Sequence, residues 1–400
     1  LGQAEVNIGL LGHVEHGKTS VVRCLTGVWT LVHSEEKKRG ITIKLGYADA
    51  VFRKCPKCPE PEAFTVEEKC PKCGGETQVL RRVSFLDAPG HETLMATAIA
   101  ASSVIDGAIL VIAANEQCPQ PQTLEHLMIL DILGVKNIVI VQNKVDLIDK
   151  AKAKQNYEQI KSFVKGTIAE NAPIVPFVAN YCLNLDVLIS EIQKCIPTPD
   201  RNLSASPRMY VARSFDVNKP GTPIDKLVGG VLGGSLIQGE LKVGDEIEMR
   251  PGALKEEKEK HYPIKTKVVA LNSGKERLGS AVPGGLIAVG TSLDPSLTKA
   301  DTLVGNMLGK AGAIPATSDS LEMEFSLLKR PDMENPPFKM NELLVLGIGT
   351  STSIGFVQKI KKNMMSITLR RPVCAESKTK IAISRKIGQR WRLCGFGILR

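Results

Sequence analysis

The stretch Val6-Asn7-Ile8-Gly9-Leu10-Leu11-Gly12-His13-Val14-Glu15-His16-Gly17-Lys18-Thr19-Ser20 decides how the chain is read. An apolar run of strand type, Val6 to Leu11, ends at a glycine and passes into the pattern G-x-x-x-x-G-K-[ST] over Gly12 to Thr19. Glycines let successive backbone amides turn inward on phosphate oxygens, which makes Val14, Glu15, His16, Gly17, Lys18, Thr19 and Ser20 the candidate nucleotide-binding residues. The Lys18 ammonium faces the terminal phosphates, and the Thr19 hydroxyl is a ligand for Mg²⁺. A helix opening at this point adds its positive end to the same site.

Three further segments complete a nucleotide site. Asn143-Lys144-Val145-Asp146 follows a buried strand, where open α/β sheets place ligand contacts. A carboxylate at Asp146 accepts from the N1 and exocyclic N2 protons of guanine, and adenine has no equivalent donor pair. Asp87-Ala88-Pro89-Gly90-His91 also closes a strand: Asp87 holds Mg²⁺ through a water, and the Gly90 amide approaches the γ-phosphate because no Cβ obstructs it. His91 is the candidate for positioning the attacking water, so the catalytic set is Lys18, Gly90 and His91. In Arg39-Gly40-Ile41-Thr42, Thr42 closes on Mg²⁺ and the γ-phosphate when the triphosphate is bound. Residues 33–46 and 87–100 are therefore candidate switches, ordered by contacts that only GTP provides.

Outward from these motifs, short apolar runs alternate with helical stretches. Strand-like runs lie at 6–11, 83–86, 108–113, 138–142 and 174–178, with helices expected over 123–133 and 156–168. The alternation predicts βαβ units in a doubly wound, mostly parallel sheet spanning residues 1–200. Ile196-Pro197-Thr198-Pro199-Asp200 breaks both periodicities and reads as a linker. Beyond it, short β runs punctuated by glycine predict two all-β barrel domains, 201–322 and 323–400.

Cys55-Pro56-Lys57-Cys58 and Cys70-Pro71-Lys72-Cys73 bracket an eleven-residue spacer, 59–69. Two CxxC turns aim four thiolates at one tetrahedral Zn²⁺, so residues 55–73 read as a structural zinc knuckle inserted in the first domain. The competing reading is a pair of exposed reduced turns. A redox role fits less well, because neither pair opens a redox βαβ unit. Cys24, Cys118, Cys182, Cys195, Cys374 and Cys394 read as small, mostly buried residues without a disulfide framework.

The totals agree with a soluble protein of several domains. The 400 residues exceed one ordinary core, and 43% hydrophobic with 24% charged residues excludes a disordered or fibrous chain. An excess of 52 Lys and Arg over 42 Asp and Glu, a net charge of +10, fits an anionic partner such as nucleic acid and equally a solvated basic surface. No run approaches the ~18 apolar residues of a membrane span, and the chain enters its first strand without a signal sequence, so a cytoplasmic location is expected.

Strand, P-loop, RGIT, DAPGH and NKVD in this order resemble the translational GTPases, a resemblance that implies a GTPase domain followed by two β-barrels. It carries a hydrophobic gate onto Val14 and Ile41 beside His91, and a base-contacting loop onto Val178-Ala179-Asn180. The chain departs from the family at Glu15, where Asp is usual, and at Val178, where Ser is usual. The knuckle, Gly27-Val28-Trp29-Thr30, Ile43-Lys44-Leu45-Gly46-Tyr47-Ala48-Asp49, Cys118-Pro119-Gln120-Pro121-Gln122-Thr123, Arg213 to Gly221 and Trp391-Arg392-Leu393 resemble, within that class, the gamma-subunit family of translation initiation factor 2 in its archaeal form. The resemblance implies a heterotrimer with alpha and beta subunits that carries methionylated initiator tRNA to the small ribosomal subunit and switches by GTP hydrolysis. Arg385, Lys386, Arg390 and Arg392 around Trp391, and Lys255, Lys258, Lys260, Lys265 and Lys267, are chemically suited to tRNA phosphates and equally to a solvated face. Two competing readings are an elongator-type GTPase for ordinary or selenocysteine-charged tRNA, and a zinc-dependent nucleic-acid module with a vestigial P-loop.

Overall fold

A computed structural model of the chain describes residues 2–30, 46–88, 104–255, 260–274, 276–330, 332–388 and 390–400. Ile41, Thr42, Gly90, His91 and Lys258 lie outside the described residues. The chain divides into two compact units, Gln3–Pro199 and Asp200–Arg400.

The first unit is built on strands β1 (Val6–Gly12), β2 (Gly46–Lys54), β3 (Phe64–Thr65), β4 (Gln78–Asp87), β5 (Gly107–Ala113), β6 (Ile138–Asn143) and β7 (Ile174–Phe177), in the order β3-β2-β4-β1-β5-β6-β7. From β4 to β7 the pairings are parallel, and β2 joins β4 antiparallel. β1, β5 and β6 are buried along their whole length, which is why they read as unbroken apolar runs. β2 buries alternate residues instead. Parallel pairing aligns the carboxyl ends of the central strands, so that Leu10 sits opposite Asp87 and Gly12 opposite Val111.

Among the described residues, helices α1 (Lys18–Thr26), α2 (Pro121–Leu133) and α3 (Lys150–Val164) lie between these strands, and α4 (Leu185–Cys195) follows β7. The helix expected at 156–168 is α3, which begins six residues earlier and ends four earlier. Its start lies at Asp149, whose carboxylate accepts from the Lys152 amide at 2.8 Å. The apolar pattern conceals that start because the first turns are Lys and Ala, and the helix buries only Asn156, Ile160 and Val164. At the unit's end, the Arg81 guanidinium of β4 donates to the Ile196 carbonyl at 2.7 Å, which fastens the first residue of the linker.

The second unit holds two closed rings of strands. Glu246–Lys255, Met307–Lys310, Arg208–Phe215, Val231–Gln238, Ile287–Thr291 and Lys260–Ser273 pair in that order, and the last returns to the first. Thr317–Leu327, Met364–Cys374, Ser351–Lys361, Leu343–Ile348, Lys380–Ile387 and Arg390–Leu399 close the other barrel. Each ring encloses its own apolar core. Ring closure pairs each of these strands on both sides.

The C-terminal basic cluster is divided by this fold. Arg385 is buried, pairs with Glu342 at 2.9 Å and lies 4.8 Å from the Phe338 ring, while Arg392 pairs with Asp332 at 2.7 Å. Lys386 and Arg390 are exposed, as are Lys260, Lys265 and Lys267 on the other barrel. Among the described residues no helix is long and apolar enough to cross a membrane.

Candidate functional site: a nucleotide cradle with a four-cysteine insertion

The phosphate loop joins β1 to α1, and its shape is imposed by contacts on both flanks. Gly12 has φ +140°, and a Cβ there would stand 2.2 Å from the Val111 carbonyl oxygen of β5. Gly17, with φ +92°, would meet the Asn143 side-chain nitrogen at 2.3 Å. Neither position accepts a side chain, so the two glycines of the motif are required by packing as well as by phosphate approach. Glu15 also takes the left-handed region, at φ 61°, so the residue that departs from the family pattern sits at the turn of the loop.

Lys18 is buried, and its ammonium donates to the carbonyls of Gly12 at 3.0 Å and His13 at 2.7 Å. Burial pulls its pKa down to about 8, and the Asp87 carboxylate opposes that shift. At the end of β4, Asp87 Oδ2 accepts from the Thr19 hydroxyl at 2.7 Å. The two residues read as Mg²⁺ ligands therefore touch, although 68 positions separate them. Oδ2 accepts a second hydroxyl, that of Thr30, also at 2.7 Å. Sequence reading assigned Thr30 no role in the site; the Gly27 to Thr30 segment carried only a resemblance.

At the other end of the cradle, Asn143 joins two loops. Its side-chain nitrogen donates to the His16 carbonyl at 2.9 Å, and its oxygen accepts from the Ala179 amide at 3.1 Å. The Ala179 amide, in the loop that the resemblance assigns to the base, is thus in use by Asn143. Lys144 has φ +62°, a turn that leads into Val145–Leu147 and leaves Asp146 exposed. Val178 and Ala179 are buried, and Asn180 is exposed.

Behind the loop stands His126 of α2, fully buried, whose Nδ1 accepts from the Gly12 amide at 2.8 Å. Burial drives its pKa down to about 3, so the ring is neutral and Nδ1 keeps its lone pair for that bond. His16 is braced by the Val111 carbonyl, 3.1 Å from its Nδ1. No local signal marks His126, because its partner lies 114 residues away.

The insertion between β2 and β4 brings Cys55, Cys58, Cys70 and Cys73 together, with all four sulfurs within 4.8 Å of one another. The closest pairs are Cys55 to Cys73 at 3.5 Å and Cys58 to Cys70 at 3.7 Å. A tetrahedron of Zn–S bonds has edges of about 3.8 Å, so the donor set fits that ion. The Lys57 amide draws the Cys55 thiol down to about 7, while burial and the neighbouring thiols push Cys58 up to about 12. Apart from these cysteines the insertion's buried cluster contains only Ala63, too little to hold it folded.

One expectation is overturned. Cys24 and Cys182 are not independent buried thiols but a disulfide, with Cα atoms 5.5 Å apart and 158 positions between them. The spacing contains no framework signal because the bond joins α1 to the loop before α4.

A phosphate loop between β1 and α1, a carboxylate from β4 against its Thr, and an N-K-x-D turn after β6 define the class of P-loop GTPases. The family model for the elongation factor Tu GTP binding domain matches residues 3–198, and that for the C-terminal domain of initiation factor eIF2 gamma matches residues 319–399. Translation initiation factor 2 subunit gamma of Methanococcus vannielii is 57% identical over 404 aligned positions, covering 99% of this chain and 98% of its own. The protein of the same name from Pyrococcus horikoshii is 55% identical, covering 100% of this chain and 98% of its own. The chain belongs to the family of translation initiation factor 2 gamma subunits: it is a GTPase and a GTP-dependent initiation factor. A crystal structure of a bacterial selenocysteine-specific elongation factor shares the fold, with a TM-score of 0.75 at 24% identity over 100% of this chain and 58% of its own.

Proposed function

We propose that the chain carries methionylated initiator tRNA to the small ribosomal subunit as the nucleotide-binding core of a heterotrimer with alpha and beta subunits. The observation that carries this reading is the contact between Thr19 and Asp87 beside the buried Lys18, in a chain related over its full length to gamma subunits. Thr19, Thr42 and Asp87 would hold Mg²⁺, which supplies positive charge to the β- and γ-phosphates when bound. Lys18 donates to the same phosphates, a role for which its cation already lies at the loop's inner face. The Gly90 amide faces the γ-phosphate, His91 orients the attacking water, and Val14 and Ile41 form the gate beside it. Loss of the γ-phosphate removes the partner of Thr42 and Gly90 and releases 33–46 and 87–100.

At the base, Asp146 selects guanine, while Lys144 and the Val178 to Asn180 loop border the ring. Cys55, Cys58, Cys70 and Cys73 would hold a structural Zn²⁺. We divide the chain into a GTPase domain, 1–200, and two barrel domains, 201–322 and 323–400, and the cytoplasm is the compartment this function implies. The test is binding of initiator and elongator aminoacyl-tRNAs in GTP and in GDP, with and without an alpha subunit. Preference for initiator tRNA in GTP is expected, and preference for an elongator overturns the assignment.

A further inference from the structure

The Cys24–Cys182 disulfide joins the two halves of the nucleotide site. Cys24 lies on α1, the helix that opens at Lys18 of the phosphate loop. Cys182 lies three residues after Ala179, in the loop read above as bordering the base. The Ala179 amide donates to Asn143, and its carbonyl oxygen lies against the disulfide, 3.1 Å from Cys24 Sγ and 3.9 Å from Cys182 Sγ.

Val178 and Ala179 are buried, and beyond them the tip of the turn is open to solvent. Tyr181 is 73% exposed and Leu183 56% exposed, so neither anchors it in the core. Cys182 and Asn184 both take left-handed backbone, at φ 51° and 66°, which a non-glycine residue adopts at a cost. The segment returns on itself through the Val178 carbonyl, which accepts from the Tyr181 amide at 3.2 Å and the Leu183 amide at 3.3 Å. Asn184 ties its far end to the Pro176 carbonyl at 2.8 Å. The disulfide ties the turn covalently to α1.

We propose that Cys24 and Cys182 are positioning residues forming a thiol-responsive clamp on the nucleotide: bonded, they hold the base-facing loop and slow guanine-nucleotide release, and reduced, they free it and speed exchange. The inference rests on the reading of residues 178–180 as a base contact. The reductant is a dithiol. Its thiolate attacks Sγ of Cys182, the more accessible sulfur, and Cys24 leaves as a thiolate that takes up a proton. The reductant's second thiol then attacks the mixed disulfide, closes its own disulfide and releases the Cys182 thiol. Two electrons and two protons pass to the protein. With Sγ of Cys182 no longer bound to α1, the turn over residues 180–183 is released from the helix that opens at Lys18.

The experiment uses the full chain loaded with a fluorescent GDP. Tryptic mapping after alkylation without reduction is expected to yield peptides 24–37 and 166–194 as one linked species. GDP release, followed by chase with unlabelled nucleotide, is expected to be about threefold to tenfold faster after dithiol treatment, the worth of one weakened hydrogen bond. Reoxidation restores the slow rate. The variant Cys182→Ser is expected to release GDP at the fast rate in either condition, which excludes effects of the dithiol on the four-cysteine insertion.

Absence of the linked peptide, or equal release rates in the two states of the wild-type chain, overturns the clamp while leaving nucleotide binding intact. Failure to bind GDP at all would instead overturn the reading of the site on which the clamp rests. The comparison of oxidised and reduced wild-type protein needs no variant to fold.

Discussion

Replacing Gly17 by Ala tests whether the phosphate loop is shaped from outside by Asn143. The residue has φ +92°, where a Cβ costs about 1–2 kcal/mol, and that Cβ would lie 2.3 Å from the Asn143 side-chain nitrogen. To relieve the clash Asn143 must withdraw, which breaks its bond to the His16 carbonyl, worth about 0.5–1.5 kcal/mol. Together the ligand-ready loop is disfavoured by roughly 1.5–3.5 kcal/mol, and GDP affinity is expected to fall about 10- to 300-fold. Fluorescence titration of labelled GDP measures it, with thermal melting to separate binding from folding. The discriminating variant is the double mutant Gly17→Ala, Asn143→Ala: with the obstructing amide gone, its loss should be smaller than the sum of the single losses. Strict additivity, or a Gly17→Ala protein that binds GDP normally, refutes this account of the loop.

Three other outcomes follow from the site. Lys18 titrates near 8 in the free chain, and phosphate binds only its charged form, so GDP affinity should be full below that pH and decline as pH rises through it; a flat profile from pH ~7 to ~9.5 removes Lys18 from phosphate binding. Asp146→Asn should weaken GTP binding about 10- to 150-fold, the worth of charged hydrogen bonds, and improve xanthosine triphosphate binding; unchanged discrimination between the two nucleotides would count against Asp146 as the base reader. Metal analysis of purified chain should find about one Zn per molecule, lost together with protease resistance of residues 55–73 in Cys70→Ser, and a metal-free wild type sinks the knuckle.

What could be read from the sequence was contiguous. Gly12 to Thr19, Asn143 to Asp146 and the two CxxC turns each pack their chemistry into a few residues, and the buried strands before them betray a parallel sheet. The barrels were legible as glycine-punctuated β runs. What was not legible depends on distant partners. His126 supports Gly12, Thr30 meets Asp87, Asn143 bridges two loops and Cys24 bonds Cys182, and each requires the folded sheet to bring segments together. Charge counting failed for the same reason at Arg385, a nominally surface cation that the fold buries against Glu342.

The most direct measurement is calorimetric titration of the magnesium-supplied, folded chain with GDP, GTP and ATP in turn. Saturable binding of both guanine nucleotides at one site, with no heat from ATP, is the expected result. Equal binding of ATP, or no heat from either guanine nucleotide, would contradict the assignment of Gly12 to Thr19 and Asn143 to Asp146 to a single guanine-nucleotide switch.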